Sequence, residues 1–297
     1  MNIGVVDIGG TFIKSGLFTD GSLTHCAEIP SNSAEGGAAV VKNAVKALES
    51  LGPFDRIGVS TAGQVDPERG CIRYANPNIP GYMGTELRGI LQKQFHVPVA
   101  VENDVKAAAV GEAFYGAAAS QKVKNFACLT FGTGIGGAFF IDGRLFRGST
   151  GSAGEVGYLT THTEKIHPGA SLMTGAYETF ASTGALVRAA SAADSRLDSG
   201  KKIFAALDRP EIRRIVDDWI DEIIYGLAGI IHIMNPSLVI LGGGVMNAPY
   251  ILPELRQRLP RFLSGGHLPV ELRQAALGNR AGLMGAGYLA MTMPETI

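Results

Sequence analysis

Residues 1–18, MNIGVVDIGGTFIKSGLF, order the rest of the chain. Ile3-Gly4-Val5-Val6 is a short apolar run of the kind that forms a strand buried on both faces. Asp7 closes that strand, Gly9-Gly10-Thr11 makes a tight turn, and Ile13 to Phe18 returns as a second strand. Glycines in such a turn carry no Cβ, so backbone N–H groups can approach an anion closely. The Thr11 hydroxyl adds a donor and Lys14 a positive charge, while Asp7 can hold a metal ion against the same anion. A polyphosphate with Mg2+ is the simplest ligand for this set. One Gly-Gly hairpin alone would equally be a plain turn.

A second copy decides between those readings. Residues 125–140, NFACLTFGTGIGGAFF, again run an apolar strand into a turn, Gly132-Thr133-Gly134, and back into an apolar strand. A third glycine cluster, Gly242-Gly243-Gly244, follows the buried strand expected over 238–241. Two similar hairpins about half a chain apart predict a duplicated fold with a nucleotide held between the halves.

The chain has 297 residues, enough for two domains with a core each. With 46% hydrophobic and 18% charged residues it is globular rather than disordered. A net charge of −1, and no run of Lys and Arg longer than two, argue against nucleic acid and anionic membrane as partners. Cys26, Cys71 and Cys128 are scattered and form no C-x-x-C pair, so neither a disulfide frame nor a zinc knuckle is suggested. Free buried thiols fit a reducing cytosol. No basic, apolar leader opens the sequence, and the longest near-apolar stretch, 223–234, is too short to span a bilayer. A cytoplasmic protein is expected.

Strands are predicted over 23–29, 57–61 and 97–101, and helices over about 33–51, 86–95 and 105–115. This alternation gives an α/β architecture with a mixed sheet. Beyond 122 the pattern restarts, with a glycine-rich loop at 148–157, helices over 178–190 and 212–234, and a closing helix over 280–291 that should pack back onto the first domain. Segment 160–176 has no clear period. The domains are therefore expected at 1–116 plus 280–297 and at 117–279, with a hinge near 117. Trp219, on the apolar stripe of the helix 212–234, belongs to the core.

Asp104 lies past the C-terminal end of the strand at 97–101, where open α/β sheets place ligands. A carboxylate there can be a catalytic base or a plain helix N-cap. Asn103, the upstream loop with Asn78, and Glu155 tip the reading toward a polar pocket supplying the donors and acceptors that sugar hydroxyls need.

Asp7-Ile8-Gly9-Gly10-Thr11 with Lys14, Glu102-Asn103-Asp104, TFGTGIGG at 130–137, Gly154-Glu155-Val156-Gly157 and Gly242-Gly243-Gly244 together resemble the ROK family of sugar kinases, in the family's order and over nearly the whole chain. The resemblance implies an α/β, duplicated actin-like (ribonuclease H-like) ATPase fold in two domains with a cleft between them. It also implies ATP-dependent transfer of the γ-phosphoryl group to the 6-hydroxyl of a hexose. On the same basis Asp104 is the base on that hydroxyl, and Gly63, Asn78, Asn103 and Glu155 join it in binding the sugar. Asp7, Gly9, Gly10, Thr11, Lys14, Gly132, Thr133 and Gly134 would hold phosphates and Mg2+, the metal on Asp7 directly or through water. Gly243 and Gly244 would lie against the adenosine. The implied cofactors are ATP and Mg2+ and the implied partner is a small-molecule sugar; a homodimer stays open.

Many family members carry a structural zinc, held by a His directly after Gly-Glu-x-Gly and by three Cys. Here those positions read Tyr158, Gly169, Ser171 and Ala176, so no zinc is expected. His162 and His167 are read as surface or substrate-lobe residues. The chain thus resembles the zinc-free branch, where kinases for β-glucosides and N-acetylmannosamine occur. Its loop at 74–82 and the Gly-Glu-Val-Gly-Tyr segment look most like those of N-acetylmannosamine kinases. Small residues at Ala62, Gly63 and Ala153 would leave space for a 2-acetamido group. Glucose and β-glucosides are the alternatives.

Three rival readings fit less well. A ROK-type repressor needs a DNA-reading helix-turn-helix ahead of the first strand, and Asp7 stands only six positions after Met1. A non-catalytic sugar sensor has no need of an intact Asp104 and both phosphate loops. A dinucleotide oxidoreductase would open a helix after its glycines, whereas Ala138-Phe139-Phe140 reads as strand.

Overall fold

An apolar run without a polar face belongs in the middle of a sheet, and Ile3, Val5, Val6 and Ile8 are all buried. The structure, a computed structural model, describes residues 1–75, 77–119, 123–265 and 269–294. Its first half contains β1 (Ile3–Ile8), β2 (Phe12–Thr19), β3 (Ser22–Pro30), α1 (Gly37–Glu49), β4 (Arg56–Thr61), β5 (Gln64–Asp66), β6 (Cys71–Tyr74), α2 (Leu87–Phe95), β7 (Val99–Asn103) and α3 (Asp104–Tyr115). The second half contains β8 (Phe126–Phe131), β9 (Ile135–Ile141), β10 (Arg144–Phe146), α4 (Tyr177–Ala181), α5 (Thr183–Ala193), α6 (Gly200–Phe204), α7 (Pro210–Met234), β11 (Leu238–Gly242), α8 (Ile251–Arg258) and β12 (Glu271–Gln274). α9 (Ala281–Met291) closes the chain.

The two halves build the same sheet. One has the order β3-β2-β1-β4-β7 and the other β10-β9-β8-β11-β12. In each, the hairpin strands are antiparallel (β1 with β2, β8 with β9) and the crossover strand is parallel to the first (β1 with β4, β8 with β11). This is the duplicated, actin-like α/β fold that the paired hairpins and the family resemblance predict.

The chain divides into two units, Met1–Lys122 with Leu145–Ala153 and Asn279–Ile297, and Val123–Arg144 with Gly154–Gly278. A single division near residue 117 does not contain the excursion of Leu145–Ala153 into the first unit. That segment is tied there by side chains: Arg147 Nε donates to Glu102 Oε2 at 2.8 Å, and Lys106 Nζ donates to the Gly151 carbonyl at 2.7 Å.

Several elements differ from their predicted bounds. The helix expected from 33 begins as a 3-10 turn, Ser33–Glu35, and Gly36 separates it from α1. The helix expected over 178–190 is two, because Ser182 has extended backbone and its Oγ accepts the Ala185 N–H as the N-cap of α5. β7 runs two residues further than 101, so Glu102 and Asn103 belong to the sheet. Trp219 is in the core, its indole N–H donating to the Ala181 and Ser182 carbonyls. Of the thiols, Cys128 is buried and Cys71 half-buried, but Cys26 is exposed on β3. Among the described residues no helix is long and apolar enough to cross a membrane.

In the first unit α9 packs on α3 and on the sheet through glycines, which let backbones touch. A Cβ on Gly285 would run into the Ala107 carbonyl, and one on Gly58 into the Ala286 carbonyl. Gly285→Ala must therefore push α9 off α3. Overpacking of this kind costs about 1–3 kcal/mol, and the expected result is a lowered urea midpoint with an unchanged m-value. A midpoint equal to the parent's would show that the helices are not in backbone contact.

Candidate active site

Strand register gathers the first group of residues. Asp7 on β1 pairs with Lys14 on β2 and with Ser60 on β4, and Ser60 in turn pairs with Glu102 on β7. One position further along, Ile8, Thr61 and Asn103 form the next row. The C-terminal ends of the parallel strands thus set polar side chains at the sheet edge, where α/β sheets bind ligands.

Asp7 accepts a hydrogen bond from Ser60 Oγ at 2.6 Å and lies 4.0 Å from Lys14 Nζ. Burial pushes its carboxyl above the ordinary range, while the Ser60 bond and the Lys14 charge pull it down. A carboxylate in that state gains from a divalent cation, so the donor chemistry at Asp7 fits Mg2+. The adjoining turn is open: Gly10 and Thr11 are exposed, and a Cβ on Gly10 would meet nothing. The turn is fixed from below, since Gly9 N–H donates to Phe12 O, Ser31 Oγ to Gly10 O and Ser31 N–H to Thr11 O.

At the β7–α3 turn Asn103 is the helix N-cap. Its Oδ1 accepts the N–H groups of Val105 and Lys106, both at 3.1 Å, and its Nδ2 donates to Gly63 O at 3.0 Å and to Asp104 Oδ1 at 2.8 Å. All four hydrogen-bonding positions of the amide are thereby used within the chain. A sugar hydroxyl would have to displace one of these bonds to reach Asn103, which makes Asn103 first of all the residue that orients Asp104. Asp104 is the first helical residue, and its Oδ1 also accepts the Val105 N–H at 2.9 Å.

Gly63 sits at φ +94°, and a Cβ there would stand 2.7 Å from the Tyr74 carbonyl oxygen. Backbone geometry therefore requires the glycine. Ala153 lies beside Gly148, where a Cβ would stand 3.1 Å from that of Ala153. Packing accounts for the glycine at 63. Asn78 is exposed in the turn that leads to Tyr82; Asn76 of the same loop lies outside the described residues.

Two neighbours went unread in the sequence. Ser60 touches Asp7, and the buried Tyr82 hydroxyl shares a 2.7 Å hydrogen bond with Thr61 Oγ1. Burial raises the Tyr82 phenol, the Thr61 bond opposes that, and the Asp104 charge raises it further, so Tyr82 feels Asp104 directly. Neither has a local signal: both become visible only once strand register is known.

In the second unit Gly132 N–H donates to Gly134 O, and Gly184 N–H to Gly132 O, folding the turn against the start of α5. Gly243, at φ +101°, passes so close to Phe131 O that any side chain would collide with it. Gly132, Thr133 and Gly244, together with Thr183, Gly184 and Val187, line a cavity of about 350 Å³. A second cavity of about 410 Å³ shares Thr183, Gly244 and Val245 and adds Phe204 and Asn247. Of the predicted glycines, Gly132 and Gly244 line these cavities while Gly134 and Gly243 do not, and Thr183 and Gly184 are unread members. Glu178 holds the loop in place by accepting Ile135 N–H at Oε2.

Glu155, half-buried, precedes the 3-10 turn Val156–Tyr158 in the second unit. Tyr158, Gly169, Ser171 and Ala176 offer neither thiolate nor imidazole where relatives with zinc carry them. His162 is half-buried: it stacks on Phe180 at 3.8 Å between ring centroids, and its Nε2 is 3.4 Å from Glu222 Oε1. His167 is exposed.

The sequence pattern of the ROK family matches residues 3–293. The chain is 32% identical over 315 residues to the glucokinase of Halalkalibacterium halodurans, spanning 96% of this chain and 93% of that one. It is also 32% identical over 298 residues to a beta-glucoside kinase of Listeria innocua, spanning 97% of each. A ROK family glucokinase from Streptomyces griseus, solved in complex with glucose and AMPPNP, matches with a TM-score of 0.84 at 29% identity, covering 99% of this chain and 100% of that one. With the pattern running from β1 to the residues just past α9, the chain belongs to the ROK family.

Proposed function

We propose that this ROK sugar kinase transfers the γ-phosphoryl group of ATP to the 6-hydroxyl of a hexose, with Asp104 as general base. The observation that carries the reading is the division of roles at the β7–α3 turn. Asn103 caps the helix and holds Asp104 by its Oδ1, so the carboxylate is oriented but is not the cap. A merely structural Asp would itself be the N-cap.

The remaining residues take roles that follow from their chemistry. As the γ-phosphoryl group passes from ATP to O6 of the sugar, leaving ADP, the hydroxyl proton moves to Asp104. General base help of this kind contributes about 10²–10⁴-fold. Lys14 and the open Gly9-Gly10-Thr11 turn supply positive charge and donors for phosphate oxygens in the first unit. In the second, Gly132, Thr133 and Gly134 hold phosphate, Gly244 borders the cavity for adenosine, and Gly243 precedes it. Mg2+ bound at Asp7 would screen the phosphate charge. Gly63, Asn78 and Glu155 are the proposed sugar contacts besides Asp104.

For the sugar itself, the packing at Gly63 removes one of the reasons for preferring N-acetylmannosamine, leaving the likeness of the 74–82 loop and the Gly-Glu-Val-Gly-Tyr segment. Relatives named glucokinase and beta-glucoside kinase share 32% of their residues with this chain. Glucose or a β-glucoside therefore becomes the proposed acceptor, and N-acetylmannosamine the rival.

Asp104→Asn keeps the shape of the side chain but cannot take a proton. Its kcat should fall by about 10²–10⁴-fold, with sugar affinity by calorimetry within about tenfold of the parent. A variant retaining more than about a tenth of kcat would end the base assignment.

Metal dependence separates the two ions considered. Activity should vanish in EDTA and return with Mg2+, and elemental analysis of purified protein should find no stoichiometric zinc. About one zinc per chain would refute the reading of Tyr158, Gly169, Ser171 and Ala176 as a lost site.

A coupled ADP-release assay over a sugar panel should rank glucose or a β-glucoside above N-acetylmannosamine by at least about tenfold in kcat/KM. The opposite order would restore the acetamido pocket.

A further inference from the structure

Two ionic side chains flanking Asp104 are almost wholly buried, and the chemistry above uses neither. Glu102 is 2% exposed and Lys106 1% exposed. Both reach into the same segment. Glu102 Oε2 accepts from Arg147 Nε at 2.8 Å, and Lys106 Nζ donates to Gly151 O at 2.7 Å. The segment is closed on itself by Ala153 N–H donating to Arg147 O. Two further bonds fasten it to the β5–β6 hairpin, Arg73 Nη1 to Thr150 O and Ser152 Oγ to Gln64 Oε1.

The same Glu102 carboxylate also holds the turn that presents Asp104. Its Oε1 accepts the Asn103 N–H at 3.1 Å. Asn103 then passes the constraint on through its 2.8 Å bond to Asp104 Oδ1. The first turn of α3 is therefore gripped on both sides, by Glu102 before Asp104 and by Lys106 after it.

Burying charges in this way is a poor route to stability. A buried ion pair is often no better than well-packed apolar residues, while losing one partner leaves an uncompensated charge. What charged hydrogen bonds supply is direction. Misplacing a reacting group by about 1 Å can cost about 10²-fold in rate.

We propose that Glu102, Lys106 and Arg147 are positioning residues for phosphoryl transfer, clamping Leu145–Ala153 onto the β7–α3 turn so that Asp104 is held toward the sugar hydroxyl. This rests on the reading of Asp104 as the base. None of Glu102, Lys106 and Arg147 is among the residues that line the second unit's cavities, so the loss of the clamp should be felt by the sugar more than by ATP.

The test is steady-state kinetics of Arg147→Met, Lys106→Met and Arg147→Lys in the full chain, with ATP and the best sugar of the panel, beside thermal melts. The methionine variants should lose at least about tenfold in kcat/KM for the sugar, with KM for ATP within about twofold. Arg147→Lys keeps a cation for Glu102 and should recover most of that loss. Should a methionine variant fail to fold, Arg147→Lys alone must still show a several-fold sugar effect with KM for ATP unchanged. Sugar kinetics equal to the parent's in folded variants, or equal losses for sugar and ATP that track the melting temperature, overturn the clamp. Asp104→Asn in the same series separates the two claims. If it is inactive while the Arg147 and Lys106 variants behave as the parent, only the clamp fails; if it is active, the base reading fails first.

Discussion

The parallel register of β1, β4 and β7 is the constraint on which the first unit's chemistry depends. It sets Asp7, Ser60 and Glu102 in one row and Ile8, Thr61 and Asn103 in the next. A slip of one residue would turn every one of these side chains to the opposite face. Because the middles of β1, β4 and β7 are apolar, slippage would also expose core, and burial of Val5, Val6, Ile57, Val59 and Val99 holds the register. The polar ends of the strands are thus positioned by the apolar middles.

Charges set into such a place need partners. Asp7 leans on Ser60 and Lys14, Glu102 on Arg147 and the Asn103 N–H, and Lys106 on the Gly151 carbonyl. Apart from the neighbouring Asn103 N–H, each partner lies on a different element from the charge it meets, so the site assembles only when the unit has folded. The second unit solves a different problem with less charge. Around its cavity Gly132 and Gly244 leave open the space a side chain would take, a Cβ on Gly184 would stand 2.9 Å from Thr133 O, and Glu178 fixes the loop by its bond to Ile135.

Much of this was legible in the residues themselves. The hairpins at Gly9-Gly10 and Gly132-Thr133-Gly134 declare themselves because apolar strands run into glycine turns on both occasions, and α7 does so through its helical period. β5, β6, β10 and β12 are too short, at three or four residues, to carry a pattern. Ser182 looks like helix interior until its capping bond to Ala185 is seen. Lys106 is the instructive case: nothing in its small-residue helix marks it as buried, and its partner at Gly151 is 45 residues away. Ser60, Tyr82 and Thr183 were missed for the same reason, since their roles come from non-local pairing. The need for glycine at 63 was equally hidden, since it answers to the carbonyl of Tyr74, eleven residues on.

Where the phosphate goes is the most direct test of sugar 6-phosphorylation. The product formed from ATP, Mg2+ and the best sugar can be read by proton-coupled phosphorus NMR. A phosphate on O6 couples to the two methylene protons at C6, whereas one on O1 couples to a single proton. The account predicts the first pattern, with ADP released in equal amount. A phosphate on the anomeric oxygen, or ADP and inorganic phosphate with no sugar phosphate from any hexose, would contradict it.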